Sequence, residues 1–223
     1  AILLWTSGVF IPPAYTQLEN AFIDSIILQI IVGAIILPGL LFVKFCERMG
    51  ATEAVADIID NLNLDPKFAA IVIATGFGVL IESLTGFGVS LLITVPLLAT
   101  RFEKHQTIGL ALMGMCLMPW GALGVAAHLG AELAEIPLRQ FSFMIWAISG
   151  PVALIMPILC LLFIPGRSFR DLKLAFCTGL LLSGGIGLGT YWVGVEIAGA
   201  LGGIMVICLA ALTTPNQPKL IKI

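Results

Sequence analysis

Apolar runs long enough to cross a bilayer recur along nearly the whole chain, and no other feature of it restricts the fold as much. A membrane-spanning helix takes about 20 consecutive apolar residues. Lipid offers backbone N–H and C=O groups no partners, so only helices and closed barrels can span. Residues 22–43 (FIDSIILQIIVGAIILPGLLFV) read as one span, with Asp24 near its start and Lys44 just past its end. Residues 141–164 make another, and 174–193 and 197–213 two more around a short turn at Gly194–Glu196. Residues 1–11 (AILLWTSGVFI) read as the end of a further, partial span and residues 215–223 as a loop, so the chain, which opens on Ala1, is expected to be part of a longer one. Only 11% of residues are charged and 59% are hydrophobic, where a soluble domain is about a quarter charged. The chain is therefore expected to be an all-α integral membrane protein in a single transmembrane domain, with the lipid bilayer as its surroundings. A soluble enzyme, a disordered chain and a nucleic-acid binder are excluded.

Residues 46–66 (CERMGATEAVADIIDNLNLDP) differ. Val55, Ile58, Ile59 and Leu62 recur at helical spacing with Glu53, Asp57 and Asp60 between them, which predicts an amphipathic helix lying at the interface. Its acidic character makes it a poor ligand for anionic lipid.

Residues 68–100 are apolar with a break at Glu82–Gly88, and two topologies compete for them. As one 33-residue helix the segment would be about 50 Å long against a core of about 30 Å. It would also split the positive charges between both faces. As two half-helices returning to the same side, it leaves Lys44, Arg48, Lys67, Arg101, Lys104, Arg167, Arg170, Lys173, Lys219 and Lys222 together, with Arg139 alone opposite. Cytoplasmic loops carry the excess of Lys and Arg, so the hairpin is preferred: a re-entrant hairpin over 68–100, its tip near Glu82–Gly88. Such backbone survives at membrane depth only where protein or water covers it.

The hairpin tip holds the chemistry. Glu82 lies well inside an apolar run with no basic residue nearby in sequence. An ionisable group there must be neutral, paired or wet; it either carries a proton or ion, or closes backbone hydrogen bonds at the tip. Ser83, Thr85, Gly86 and Gly88 add hydroxyls and flexible backbone. A half-helix starting near Gly88 would present its positive dipole end to an anion. Residues 107–127 form the next span, broken over 114–124 (GMCLMPWGALG) by Pro119, Gly121 and their neighbours; adjacent discontinuous segments are the best sequence pointer to a transporter site. Trp120 and Gly121 are candidate pocket walls. His128, at the outer end of that span, is a candidate proton relay.

Other motifs lead nowhere catalytic. Gly184, Gly185, Gly187 and Gly189 imitate a nucleotide fingerprint, but no strand precedes them. Gly185-x-x-x-Gly189 and Gly199-x-x-x-Gly203 suit close helix packing instead. The five cysteines include no C-x-x-C pair, so they read as small apolar packers. No metal, cofactor or enzymatic motif is present in the sequence.

The stretch GFGVLIESLTGFGVSLLI at 76–93 resembles the signature of the L-lactate permease family, in which an apolar run leads into E-G-A-A-G-F-G-x-P. Glu82 and Gly86-Phe87-Gly88 carry the match, and WGALG at 120–124, the basic loop with Arg167 and Arg170 and the closing helices follow in the family's order. Ser83, Leu84 and Thr85 stand where the family has G-A-A, Ser90 where it has proline, and Gly114 and Met115 where it has an Asn-Thr pair. The resemblance implies a multi-pass protein of the bacterial inner (plasma) membrane that carries L-lactate or glycolate in symport with protons. It also implies one of two inverted repeats of an ion-transporter-superfamily-like fold, with the other half of the transporter, or another protomer, as partner. Glu82 and His128 would then couple protons, while Ser83, Thr85, Gly86, Phe87, Gly88, Trp120 and Gly121 would hold the anion. The alternatives are a non-transporting membrane subunit, a degenerate half-transporter, a permease for a different small organic anion, or sodium in place of protons.

Overall fold

The computed structural model describes residues 15–86 and 88–213. The partial span expected at 1–11, the C-terminal loop and Phe87 lie outside the described residues. All regular structure among the described residues is helical. Five stretches, Phe22–Arg48, Pro66–Thr85, Leu138–Phe163, Phe169–Trp192 and Val195–Thr213, are long and apolar enough to cross a membrane.

The chain divides into two units, Ala1–Leu37 and Pro38–Ile223. The first is described only as the leading part of helix α1 (Tyr15–Arg48), whose Phe22, Ile23, Ile27 and Ile30 are exposed, a surface suited to lipid and not to water.

The second unit holds the rest. Helix α2 (Ala51–Asn61) buries Ile59 and half-buries Val55, with Glu53, Asp57 and Asp60 exposed and Ile58 also outward. Next comes the most enclosed segment of the chain: α3 (Pro66–Ile71), a π-helical stretch at Val72–Phe77 and α4 (Gly78–Thr85). Asp65 caps it by accepting the Lys67 N–H at 2.9 Å, and Pro66 at the first helical position lacks an N–H that would have no partner there. Over Pro66–Thr85 78% of the most apolar window is buried, against 33–44% for the last three spans. Lipid cannot be its main neighbour; protein is. In the π stretch, Thr75 returns its hydroxyl to the Ile71 carbonyl at 2.8 Å. Inserted turns of this kind recur at functional sites.

After α4 the chain reverses. Gly86 and Gly88 take φ of 72° and 80°, a left-handed region that glycine enters without steric cost. Helix α5 (Leu91–Ala99) then runs back along the π stretch, bringing the Thr94 methyl to 3.5 Å from where a Gly78 Cβ would stand. Helix α6 (Lys104–Gly114) follows, its start closed by reciprocal capping between Glu103 and Gln106. Two short 3-10 turns, Met118–Trp120 and Ala122–Gly124, separate it from α7 (Val125–Leu133). Helices α8 (Leu138–Cys160), α9 (Phe169–Trp192) and α10 (Val195–Thr213) pack in series with α9 in the middle, and α10 lies along α4 and the π stretch.

Polar contacts mark two ends of this unit. Lys67 pairs with Asp171 at 2.9 Å, and Arg101 pairs with Asp60, near the start of the same segment. The feet of both hairpin arms therefore meet the end where α9 begins. Arg139 stands over the Tyr191 ring at 5.0 Å, where α9 finishes 24 residues later, or about 36 Å along its axis. His128 and Glu196 pair at 2.9 Å beside that second end, where α10 starts.

The close approach of α10 depends on missing side chains. A Cβ at Gly203 would stand 2.7 Å from the Gly76 carbonyl and 2.9 Å from the Leu80 N, so a methyl there forces backbones apart. Gly203→Ala is expected to destabilise the fold by about 1–3 kcal/mol. Gly184→Ala, with open space around its Cβ position, should leave stability unchanged or slightly raised. Thermal unfolding of both variants in detergent checks the contrast.

Candidate functional site

Glu82 sits near the C-terminal end of α4 and is 2% exposed. Both carboxylate oxygens are engaged across the turn. Oε1 accepts the Gly88 N–H at 2.8 Å; Oε2 accepts the Ser90 hydroxyl at 2.7 Å and, at 3.4 Å, the Ser90 N–H. These donors belong to the far side of the turn, so the carboxylate ties the hairpin's two arms at its tip. The Gly88 N–H and the Ser90 hydroxyl, in the turn that leads into α5, are thus held by the protein's own Glu82, while the Leu91, Leu92 and Ile93 N–H groups at the head of α5 close on the Gly88, Val89 and Ser90 carbonyls.

The other residues of the tip have separate fates. Thr85 returns its hydroxyl to the Ile81 carbonyl at 2.7 Å, a local bond that serves its own helix. Ser83 is 1% exposed and its Oγ has no hydrogen-bond partner. That hydroxyl faces α10: a Cβ at Gly199 would lie 2.1 Å from it, and 2.9 Å and 3.1 Å from Trp120 Cβ and carbonyl. A buried hydroxyl without a partner is unusual enough to need a reason. Gly86 rests on the break between α6 and α7, its Cβ position 2.5 Å from the Ala122 Cβ, and Gly88 lies against the Met115 side chain. Phe87 lies outside the described residues.

The break is unwound in a specific way. Ala122, Leu123 and Gly124 take φ of 50°, 55° and 72° in succession. For the two non-glycine residues this is a sparsely populated conformation, costing about 1–3 kcal/mol each. Ala122 lies against the tip at Gly86, and Gly124 against Val195 at the start of α10. Trp120 is fully buried and donates its indole N–H to Ser149 Oγ on α8 at 3.0 Å. Beside it, Gly121, Ala122, Phe141, Ile145 and Ser149 line an apolar cleft of about 510 Å³. Gly114, where the related pattern has an amide, is committed to packing, since a Cβ there would stand 2.8 Å from the Ala74 carbonyl.

The structure thus joins Glu82, Ser83, Gly86, Gly88 and Trp120 around one junction, with Gly121 at its edge. His128 stands apart: it is bonded to Glu196 and half exposed, and no hydrogen bond or ion pair links it to Glu82. Three participants escape sequence reading. Ser90 stands where the pattern has proline, so its hydroxyl reads as a lost feature. Gly199 reads as helix packing, although its partner is the Ser83 hydroxyl. Ser149 carries no local signal.

A sequence model described as L-lactate permease matches residues 9–221. The chain belongs to the L-lactate permease family. A protein named "Putative L-lactate permease" from Haemophilus influenzae is 30% identical over 132 residues, covering 57% of this chain and 25% of that protein. The chain thus matches about a quarter of that relative's length. No solved structure matches it. Family membership together with the five apolar helices makes this a multi-pass membrane protein.

At Gly86 the tip of this permease-family hairpin has no room for a Cβ. Gly86→Ala combines a left-handed backbone with a clash against Ala122. It is expected to cost at least about 2 kcal/mol, seen as a lowered unfolding midpoint and as faster proteolysis around 114–124.

Proposed function

We propose that this chain supplies half of the substrate site of a secondary transporter that carries L-lactate, or a related small monocarboxylate such as glycolate, with protons across the plasma membrane. The observation that carries the reading is the meeting of the hairpin tip at Gly86 with the helix break at Ala122, beside the buried carboxylate of Glu82. A helix pair that breaks at one buried point exposes backbone N–H and C=O groups to a ligand, as secondary transporters do at the membrane midplane.

Glu82 is the proposed proton carrier. Gly86, Phe87 and Gly88 provide backbone, and Ser83 a free hydroxyl. Trp120 holds the break, and Gly121 edges the apolar cleft, which suits a methyl group. Thr85 acts through its helix, and His128, paired with Glu196, serves the outer mouth. The second repeat and the rest of the anion's cage lie with the partner half. The hairpin is proposed to be re-entrant, because Lys67 and Arg101, at its two feet, bond to Asp171 and Asp60 at one end of the unit, while Arg139 stands at the other.

Uptake of labelled lactate by cells or proteoliposomes carrying the full permease is the direct test, and a protonophore should collapse accumulation. Glu82→Gln should abolish uphill, proton-driven uptake while the protein still reaches the membrane; undiminished accumulation would refute the role of Glu82. In a cysteine-free background, single cysteines at 67 and 101 should react with an impermeant reagent from the same side, and a cysteine at 139 from the opposite side. Labelling of 67 and 101 from opposite sides would replace the hairpin by a crossing helix.

A further inference from the structure

The bonding of Glu82 carries a consequence for how anion and proton are linked. Its two oxygens accept the Gly88 N–H, the Ser90 O–H and, less closely, the Ser90 N–H. Those donors stand in the turn that leads into α5, where an arriving carboxylate would meet them. We propose that Glu82 is an internal stand-in for the substrate: the arriving carboxylate displaces it from Gly88 and Ser90, and the displaced Glu82 takes up one proton from water. This rests on the transport reading above and supplies its coupling step.

The physical case is one of charge. In the anion-free protein the junction holds one carboxylate with its donors. If the substrate entered without a proton, two carboxylates would share one set of donors, and like charges at such separation cannot both stay ionised. With its donors taken and only 2% of its surface exposed, ionised Glu82 would leave a second negative charge buried at the junction without a partner. Exchange with protonation leaves one negative charge before and after, and no bond other than the new O–H is made.

Among the described residues, no charged side chain hydrogen-bonds or ion-pairs with Glu82. The elements packed on α4 are the π stretch, the two 3-10 turns, α5, α6, α10 and, through Gly39 against Thr85, α1. Their ionisable residues are Lys104 and His105 at the foot of α6, Glu196 at the head of α10, Cys208, and, on α1 after Gly39, Lys44, Cys46, Glu47 and Arg48. None of these hydrogen-bonds or ion-pairs with Glu82, and Glu196 is held by His128. Independently of this clamp, the adjacent Ser83 hydroxyl is buried and without a partner, as expected of a group whose partner arrives with the ligand. A 2-hydroxy acid carries both a carboxylate for the Gly88 and Ser90 donors and a hydroxyl for Ser83.

The test is lactate binding to the purified full permease, by calorimetry between about pH 5.5 and 8, where a free carboxylic acid of ordinary pKa stays ionised. With one proton taken up per anion, the wild-type Kd should rise about tenfold per pH unit. Glu82→Gln, unable to compete as an anion, should bind with a Kd near the wild-type low-pH value and independent of pH. The infrared difference spectrum on adding lactate should gain a protonated-carboxyl band in the wild type that is absent in the variant. A pH-independent wild-type Kd, or a variant that keeps the wild-type slope, overturns the exchange while leaving lactate as the substrate. A wild type that binds no lactate at any pH overturns the transport reading and the exchange with it. Should Glu82→Gln fail to fold, the wild-type spectrum decides alone: lactate binding without a new acid band overturns the proposal.

Discussion

An ionisable side chain enclosed as fully as Glu82 must find donors within the protein, because neither lipid nor bulk water supplies them. Glu82 finds them on the far side of its own turn, at Gly88 and Ser90. That choice closes the hairpin at its tip, gives α5 its direction and leaves the turn in contact with the break between α6 and α7. The rest of the second unit is arranged to keep this junction covered: α10 along one side of α4 and the π stretch, α5 and α6 packed on the π stretch as well, and α8 reaching in through Ser149 to hold Trp120.

The coverage works because side chains are missing where backbones meet. Gly203 lets α10 approach the Gly76 carbonyl, Gly199 leaves space for the Ser83 hydroxyl, and Gly114 sits under the Ala74 carbonyl. In a lipid setting, helix association gains little from the hydrophobic effect and depends on close van der Waals packing. A buried junction made of bent backbone and one carboxylate therefore needs glycine-lined neighbours more than it needs large apolar ones. The left-handed run at Ala122–Gly124 is tolerated because its surroundings are built around it.

Much of the site was legible in sequence, and for identifiable reasons. Glu82 stands out because a lone carboxylate in an apolar run is expensive, and Pro119 with Gly121 beside it marks a break because proline removes a helical hydrogen bond and adjacent glycine loosens the next turn. What stayed hidden was partnership. The Ser90 hydroxyl reaches Glu82 across a turn whose shape no residue pattern specifies. Thr85 and Ser83 look equivalent in the sequence, yet one hydroxyl closes on Ile81 and the other is left facing α10. His128 reads in the sequence as a candidate proton relay at the outer end of its span, and only the fold shows that its partner is Glu196.

The sequence by itself determined that the chain is helical and belongs in a bilayer, because the length and spacing of apolar runs answer to the thickness and dryness of the membrane. It also determined where the helices break, since proline and clustered glycine are written residue by residue. Only the tertiary structure decided that the Gly88 N–H and the Ser90 hydroxyl are already held by the Glu82 side chain and that the tip rests on Ala122. Those facts depend on distances between segments whose approach is set by packing, and packing follows from the shapes of many side chains at once.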